Sequence, residues 1–229
     1  NTGTIDRYLS LWGRSSLTDK GSTFLTPFLD ISSTKVSTVR KKLYNNPKIV
    51  LAKIGIRTEA FYDDDGDYAS INTNCIHSFN PGYHPKYITL WLNSVLYQFL
   101  FSCFFDGLRM AGGYLLYSSP NLKSTYIKQP SEDQTELSII LHDIESWSIQ
   151  KGRQFSFDQI IDGFLFNLYF PEHMQEREID VLEFVERDIA TVWAKHPALQ
   201  NQKQDAFDTL SDTVKEEVIE QLHKIWTDP

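Results

Sequence analysis

Three kinds of residue in this chain have the chemistry to act on or hold another molecule: clustered carboxylates, soft nitrogen and sulfur ligands, and cations set among glycines and aromatics. The carboxylates of Asp63-Asp64-Asp65-Gly66-Asp67 invite a calcium-loop reading. With Gly66 at the glycine position of such a loop, its first ligand falls on Phe61 and its last on Asn72, so the register fails. An Asp-Gly hairpin turn between Tyr62 and Tyr68 fits better. Cys75, His77 and His84 have neither a recognised ligand spacing nor a fourth partner, and no metal is assigned to them. The sequence contains no Gly-x-Ser-x-Gly elbow, no phosphate-loop signature and no His-Glu-x-x-His helix. Its acidic pairs are explained by solvated helix faces. The expectation is a chain with no catalytic residue of its own.

The cations are more informative. Arg109 follows a candidate helix and precedes the glycine pair Gly112-Gly113, and a guanidinium there can bond O6 and N7 of guanine together. Its structural alternative is a pair with Asp106 or a cap on the preceding helix. Lys53 and Arg57 are evenly spaced on one candidate strand face. Arg40, Lys41 and Lys42 lie on the outer face of a candidate helix over residues 35–44, where they suit phosphates or simply solvent. Lys123 and Tyr114 are weaker candidates. The charge is unevenly divided: residues 1–130 carry 14 Lys and Arg against 9 Asp and Glu, a net of +5, and residues 131–229 carry 8 against 21, a net of −13. The overall charge of −8 therefore hides a basic half suited to a phosphate backbone and an acidic half that is not.

The elements that must hold these residues centre on residues 87–130. Tyr87, Thr89 and Trp91 alternate with Ile88, Leu90 and Leu92, which predicts a strand. Asn93-Ser94 supplies caps for a following helix with Leu96, Phe99, Leu100, Cys103 and Phe104 on one face, and Gly107 is its stop. Gly112-Gly113 bends the chain into a strand over residues 114–118. Upstream, residues 13–26 read as loop, and residues 48–57 as a strand that Glu59 to Tyr62 extend or follow. Val36, Val39 and Leu43 set the inner face of the helix over 35–44. From Ser131 onward the pattern is helical, in stripes through Leu137, Ile140, Leu141, Ile144 and Trp147; Phe157, Ile160, Ile161, Phe164, Leu165 and Leu168; Leu182, Val185, Ile189 and Val192; and Phe207, Leu210, Val214, Val218 and Leu222. Ser156 is a candidate cap for the second. The predicted fold is α+β, a mixed-sheet core over 1–130 followed by an acidic helical subdomain over 131–229. The apolar run around Val95 to Phe105 is too short to span a bilayer. Two cysteines make no disulfide framework, and reduced thiols in a cytoplasm are expected. Asn1 in place of Met suggests a fragment.

The order of Pro47 to Ile54, Leu92-Asn93-Ser94, the aromatic helix, Gly107-Leu108-Arg109-Met110, Gly112-Gly113-Tyr114, Ile127-x-x-Pro130 and Ile160 to Tyr169 resembles the TaqI-like C-terminal specificity domain. That resemblance spans roughly residues 45–170. It implies the DNA target-recognition part of an adenine-N6 methyltransferase, or of a type II restriction enzyme fused to one. Double-stranded DNA is then the partner, and a methyltransferase domain lies upstream of Asn1. S-adenosylmethionine is bound there rather than by this fragment, with Mg2+ only if a nuclease is attached. Asn80-Pro81-Gly82-Tyr83 departs from the Asn-Pro-Pro-Tyr motif of such methyltransferases at its third residue and follows no glycine-rich cofactor strand, so it reads as a turn. The alternative function is a protein-interaction module built on the acidic helices.

Overall fold

The first thirty residues have no run long enough to bury an alternating face, and they fold as short strand pairs. The computed structural model describes residues 2–70, 72–153, 157–200 and 204–227, in two compact units, Asn1–Ile127 and Lys128–Pro229. In the first unit β1 (Ile5–Asp6) pairs antiparallel with β2 (Leu9–Ser10), and β3 (Leu17–Asp19) with β4 (Ser22–Phe24). The stretch expected as loop thus contains a hairpin. Its two-residue turn, Lys20-Gly21 at φ 47° and 81°, has the mirror-image geometry that matches strand twist.

Helix α1 (Thr38–Tyr44) starts at Ser37, whose hydroxyl accepts the Arg40 N–H, and ends at Asn45, short of Pro47. Tyr44 is its buried residue, whereas Val39, expected inward, is 79% exposed. The continuous apolar run that follows is a fully buried strand, β5 (Lys48–Ala52). The chain bends at Lys53, so the strand expected over 48–57 becomes two, and β6 (Ile54–Gly55) joins another sheet. β5 is the centre of a three-stranded antiparallel sheet between β7 (Ala60–Asp63) and β8 (Thr73–Ile76), with Val50 opposite both Phe61 and Cys75. Asp63 to Tyr68 closes no hairpin between Tyr62 and Tyr68. It folds back on the Asp63 carboxylate, which accepts the N–H groups of Asp67 and Tyr68.

Residues 87–92 are helical, not extended. Helix α2 (Pro85–Asn93) begins with Pro85 at its first turn and His84 as cap, and Tyr87, Leu90 and Trp91 bury at helical spacing. Six nearly uninterrupted apolar positions fit both periods, so alternation alone could not choose between them. Helix α3 (Val95–Phe105) starts where Ser94 accepts the Tyr97 N–H at 3.1 Å. Its buried face is Leu96, Tyr97 and Phe101, fixed by ring contacts of Tyr97 with Trp91 and of Phe101 with Tyr117. Phe99 and Phe104, expected inward, are 63% and 71% exposed, and Cys103 is exposed too. The helix stops two residues before Gly107, and Gly112 and Gly113, both at positive φ, lead into β9 (Leu115–Leu116), which pairs with β6, and α4 (Ser119–Lys123).

The second unit is helical. Helix α5 (Glu132–Gln150) opens with a reciprocal capping box between Ser131 and Gln134, and α6 (Asp158–Tyr169), α7 (Pro171–Gln175), α8 (Val181–Lys195) and α9 (Asp212–Thr227) follow. The expected stripes are buried at Leu137, Ile140, Leu141, Ile144, Trp147, Phe164, Leu168, Val185, Ile189, Val192, Val218 and Leu222. Phe207 and Leu210 are buried as well, but they precede α9 rather than belonging to it. Ser156 lies outside the described residues. The buried Glu145 of α5 accepts the Phe157 N–H at the start of α6. The fold is α+β, and the described pairings are antiparallel instead of mixed. Among the described residues no single helix is long and apolar enough to cross a membrane, and the α2–α3 pair is bent by 65°.

Candidate nucleic-acid interface

A surface that reads another molecule needs a frame that does not move when its loops are engaged. In the first unit that frame is tied by polar side chains bonded to backbone. Lys48, fully buried, pairs with the Asp63 carboxylate and also donates to the Tyr44 carbonyl at 2.9 Å, fastening the end of α1 to the sheet. Tyr44 Oη donates to Ser70 O. Asn93, at the end of α2, acts as a substitute strand partner along the open edge of β7. Its Oδ1 accepts the Ala60 N–H at 2.9 Å, and its Nδ2 donates to Ala60 O at 2.8 Å. Gln98 brackets the neighbouring turn, accepting from Thr58 N and Tyr117 Oη and donating to Ile56 O. Sequence reasoning missed Lys48, Asp63 and Gln98 and gave Asn93 only a capping role. The one visible signal was a lysine at the edge of a wholly apolar strand, which demands a buried partner.

Around this frame the predicted cations fall into separate groups. Arg40 and Lys42 are exposed on α1, while Lys41 is half-buried with its Nζ on Ser32 O at 3.2 Å. Lys41 and Lys42 also oppose the negative end of the helix dipole. Lys53 and Arg57 are exposed, but they do not share a strand face: Lys53 sits at the bend after β5, and Arg57 lies beyond β6, within 3.8 Å of Asp6. A Cβ on Gly55 would meet Arg57 O at 2.5 Å, so the tight path between the two cations requires glycine. The β6–β9 pairing and the bond from Tyr117 N to Lys53 O bring this turn beside the segment carrying Tyr114. Tyr114 is 44% exposed. Lys123 is exposed in the last turn of α4.

Arg109 has the structural partners foreseen for it. Its Nε pairs with Asp106, one terminal nitrogen donates to Gly113 O at 2.9 Å, and the other to Ser102 Oγ at 3.4 Å. The guanidinium braces the turn between α3 and β9. Each terminal nitrogen carries two N–H groups, so one donor on each remains beyond these bonds.

Cys75, His77 and His84 do not assemble, and among the described residues no group of three or more His, Cys, Asp or Glu is placed to hold a metal ion. Cys75 sits in β8, where burial pushes its thiol pKa up. Asn80 to Tyr83 forms a turn, with Tyr83 N donating to Asn80 O and Gly82 at φ 87°. Asn80 and Tyr83 line a pocket of about 390 Å³ with His77, Trp91 and Tyr97. Among the described residues, no carboxylate lines it.

The first unit thus has a small antiparallel core stiffened by side-chain ties to backbone, with exposed cations in separate groups around it. Residues 5–112 match the family model of the TaqI-like C-terminal specificity domain. The match supports a DNA-recognition role in restriction-modification systems. It starts about forty residues earlier than the motif order suggested and ends at Gly112, so it includes the N-terminal strand pairs and α1 but neither β9 nor α6. No curated protein and no solved structure matches the chain.

Proposed function

We propose that the first unit selects a sequence in duplex DNA for a site-specific adenine-N6 methyltransferase, with or without an attached endonuclease, of a type II restriction-modification system. The observation that carries this reading is the specificity-domain match over residues 5–112, on a unit whose Arg40, Lys42, Lys53 and Arg57 are exposed. These cations, with Lys123 and the partly engaged Lys41, hold phosphates. Arg109, through its two remaining donors, and Tyr114 beside it face a base. A methyltransferase domain outside this chain binds S-adenosylmethionine and takes up the flipped adenine, and Mg2+ serves a nuclease where one is attached. Such a protein works in the cytoplasm, where the DNA is.

The test is a low-salt selection from randomised duplex DNA, run on the protein and on Arg109→Ala. Enrichment of a short asymmetric sequence, blurred at one position in the variant, is the expected result. Recovery of DNA without enrichment in the native protein refutes sequence recognition. If there is no salt-sensitive binding at all, with the upstream domain present, the acidic-helix interaction module replaces this reading.

A further inference from the structure

The β3–β4 hairpin has a feature that its own packing does not explain. Thr18, Asp19, Lys20, Ser22, Thr23 and Phe24 are all exposed, and Leu17 is only partly covered. An isolated two-stranded hairpin is marginal in water. This one is held from its base instead: Gly13 N donates to Leu25 O at 3.0 Å, Ser15 N to Leu11 O at 2.8 Å and Ser15 Oγ to Gly3 O at 3.0 Å. Trp12 Nε1 donates to Pro27 O at 2.9 Å, and its ring meets Phe28 edge to face. A braced foot thus carries a ribbon with Thr18 and Thr23 on one face and Leu17, Asp19, Ser22 and Phe24 on the other, none of them buried.

Its chemistry and size select an occupant. Residues 14–44, which contain the ribbon and α1, hold six Lys or Arg against two Asp, a net of +4. Two strands about 4.8 Å apart, with side chains on either face, fit a DNA major groove roughly 12 Å wide. Thr18 and Thr23 are directly opposite each other, with their hydroxyls 3.3 Å apart, so one ribbon face presents two groups that both donate and accept. Lys20 at the tip adds a cationic donor for a guanine edge. We propose that the β3–β4 ribbon enters the major groove of the recognised duplex and reads adjacent base pairs through Thr18, Thr23 and Lys20. This rests on the DNA-recognition reading above and adds a reading element to it.

The experiment repeats the duplex selection with Thr18→Val/Thr23→Val and, separately, Lys20→Asn. Valine keeps the β-branched shape and strand preference of threonine without its hydroxyl, and asparagine tolerates the positive φ at position 20. Circular dichroism and urea unfolding of the exposed-site variants should match the native protein. The expected result is a loss of about tenfold in discrimination at one or two adjacent base pairs, with preference elsewhere and the salt slope unchanged by the valine pair. An identical sequence preference in all three proteins overturns the ribbon assignment alone and leaves its open strand edges for a protein partner. Binding without enrichment in the native protein overturns the DNA-recognition reading, and the ribbon proposal with it.

Discussion

Replacing Asn93 tests whether the frame of the first unit is held as the geometry indicates. Asn93 is 7% exposed and makes two hydrogen bonds to the main chain of Ala60, itself fully buried. In Asn93→Ala both bonds are lost, at about 1 kcal/mol each. Ala60 O keeps the Tyr8 N–H at 2.8 Å, but Ala60 N loses the side-chain acceptor on the open edge of β7 and adds part of a further 1–3 kcal/mol. The sum is about 2–4 kcal/mol, a large share of the 5–15 kcal/mol typical of a folded domain. Urea unfolding measures it, and amide exchange at Ala60 localises it. A loss below about 0.5 kcal/mol would falsify the assignment of Asn93 as the edge partner.

Asn93→Asp sharpens the same test. The introduced carboxylate still accepts from Ala60 N, but when ionised it has no proton for Ala60 O and sets oxygen against oxygen. Only its protonated form restores both bonds, so its folded-state pKa is raised above the usual value near 3.9. The penalty is therefore complete above that raised value and fades as pH falls through it towards about 3.9. The stability difference from the native protein, compared at each pH, narrows on acidification. A difference that stays constant with pH refutes the reciprocal geometry.

Asp63→Ala leaves the buried Lys48 ammonium without its carboxylate and should cost about 3–5 kcal/mol in urea unfolding; the double variant Lys48→Met/Asp63→Asn should lose clearly less than the sum of its single changes. Burial, and then the nearby Asp6 charge, raise the Glu59 carboxyl above its ordinary 4.5. A raised carboxyl pKa destabilises the fold once the group is ionised, so Glu59→Gln should raise the urea midpoint at pH 7, with a gain that shrinks as pH falls towards 4.5. Arg40→Gln/Lys42→Gln, both at exposed positions, should reduce the slope of log affinity against log salt by up to about 1.8 without changing the preferred sequence.

What was legible in the sequence was mostly local. Ser94 caps a helix start, Ser131 opens the helical stretch, and the second-unit stripes are buried at their period, whereas Ser37 caps a helix expected to begin at residue 35. Where local signals were degenerate, tertiary contacts decided. Residues 87–92 satisfy both periods, and the ring contacts among Trp91, Tyr97 and Phe101 choose helix and face. The hairpin over Leu17 to Phe24 escaped because Leu17 and Phe24 are the apolar residues of its two short strands and neither is buried, so no buried face sets an alternation. Of the candidate site, the residue types were readable but not their grouping. The even spacing of Lys53 and Arg57 meant little once the chain bent at Lys53, and the Asp106 alternative for Arg109 came from short-range spacing that a helix end preserves.

The polar ties of the first unit have a consequence for how such a domain can change what it reads. Lys48, Asn93 and Gln98 hold main-chain atoms of neighbouring elements, chiefly carbonyls and N–H groups that are present whatever residue supplies them. A loop side chain can then be replaced without removing the bond that holds its loop. Thr18, Lys20 and Thr23 meet that condition: their strands pair through the backbone, and the hairpin foot is fixed by Gly13, Ser15 and Trp12. Arg109 does not, because the same guanidinium that faces outward also closes the turn through Asp106 and Gly113. Substitutions on the ribbon should therefore alter sequence preference at little cost in stability, whereas substitutions at Arg109 change frame and surface together.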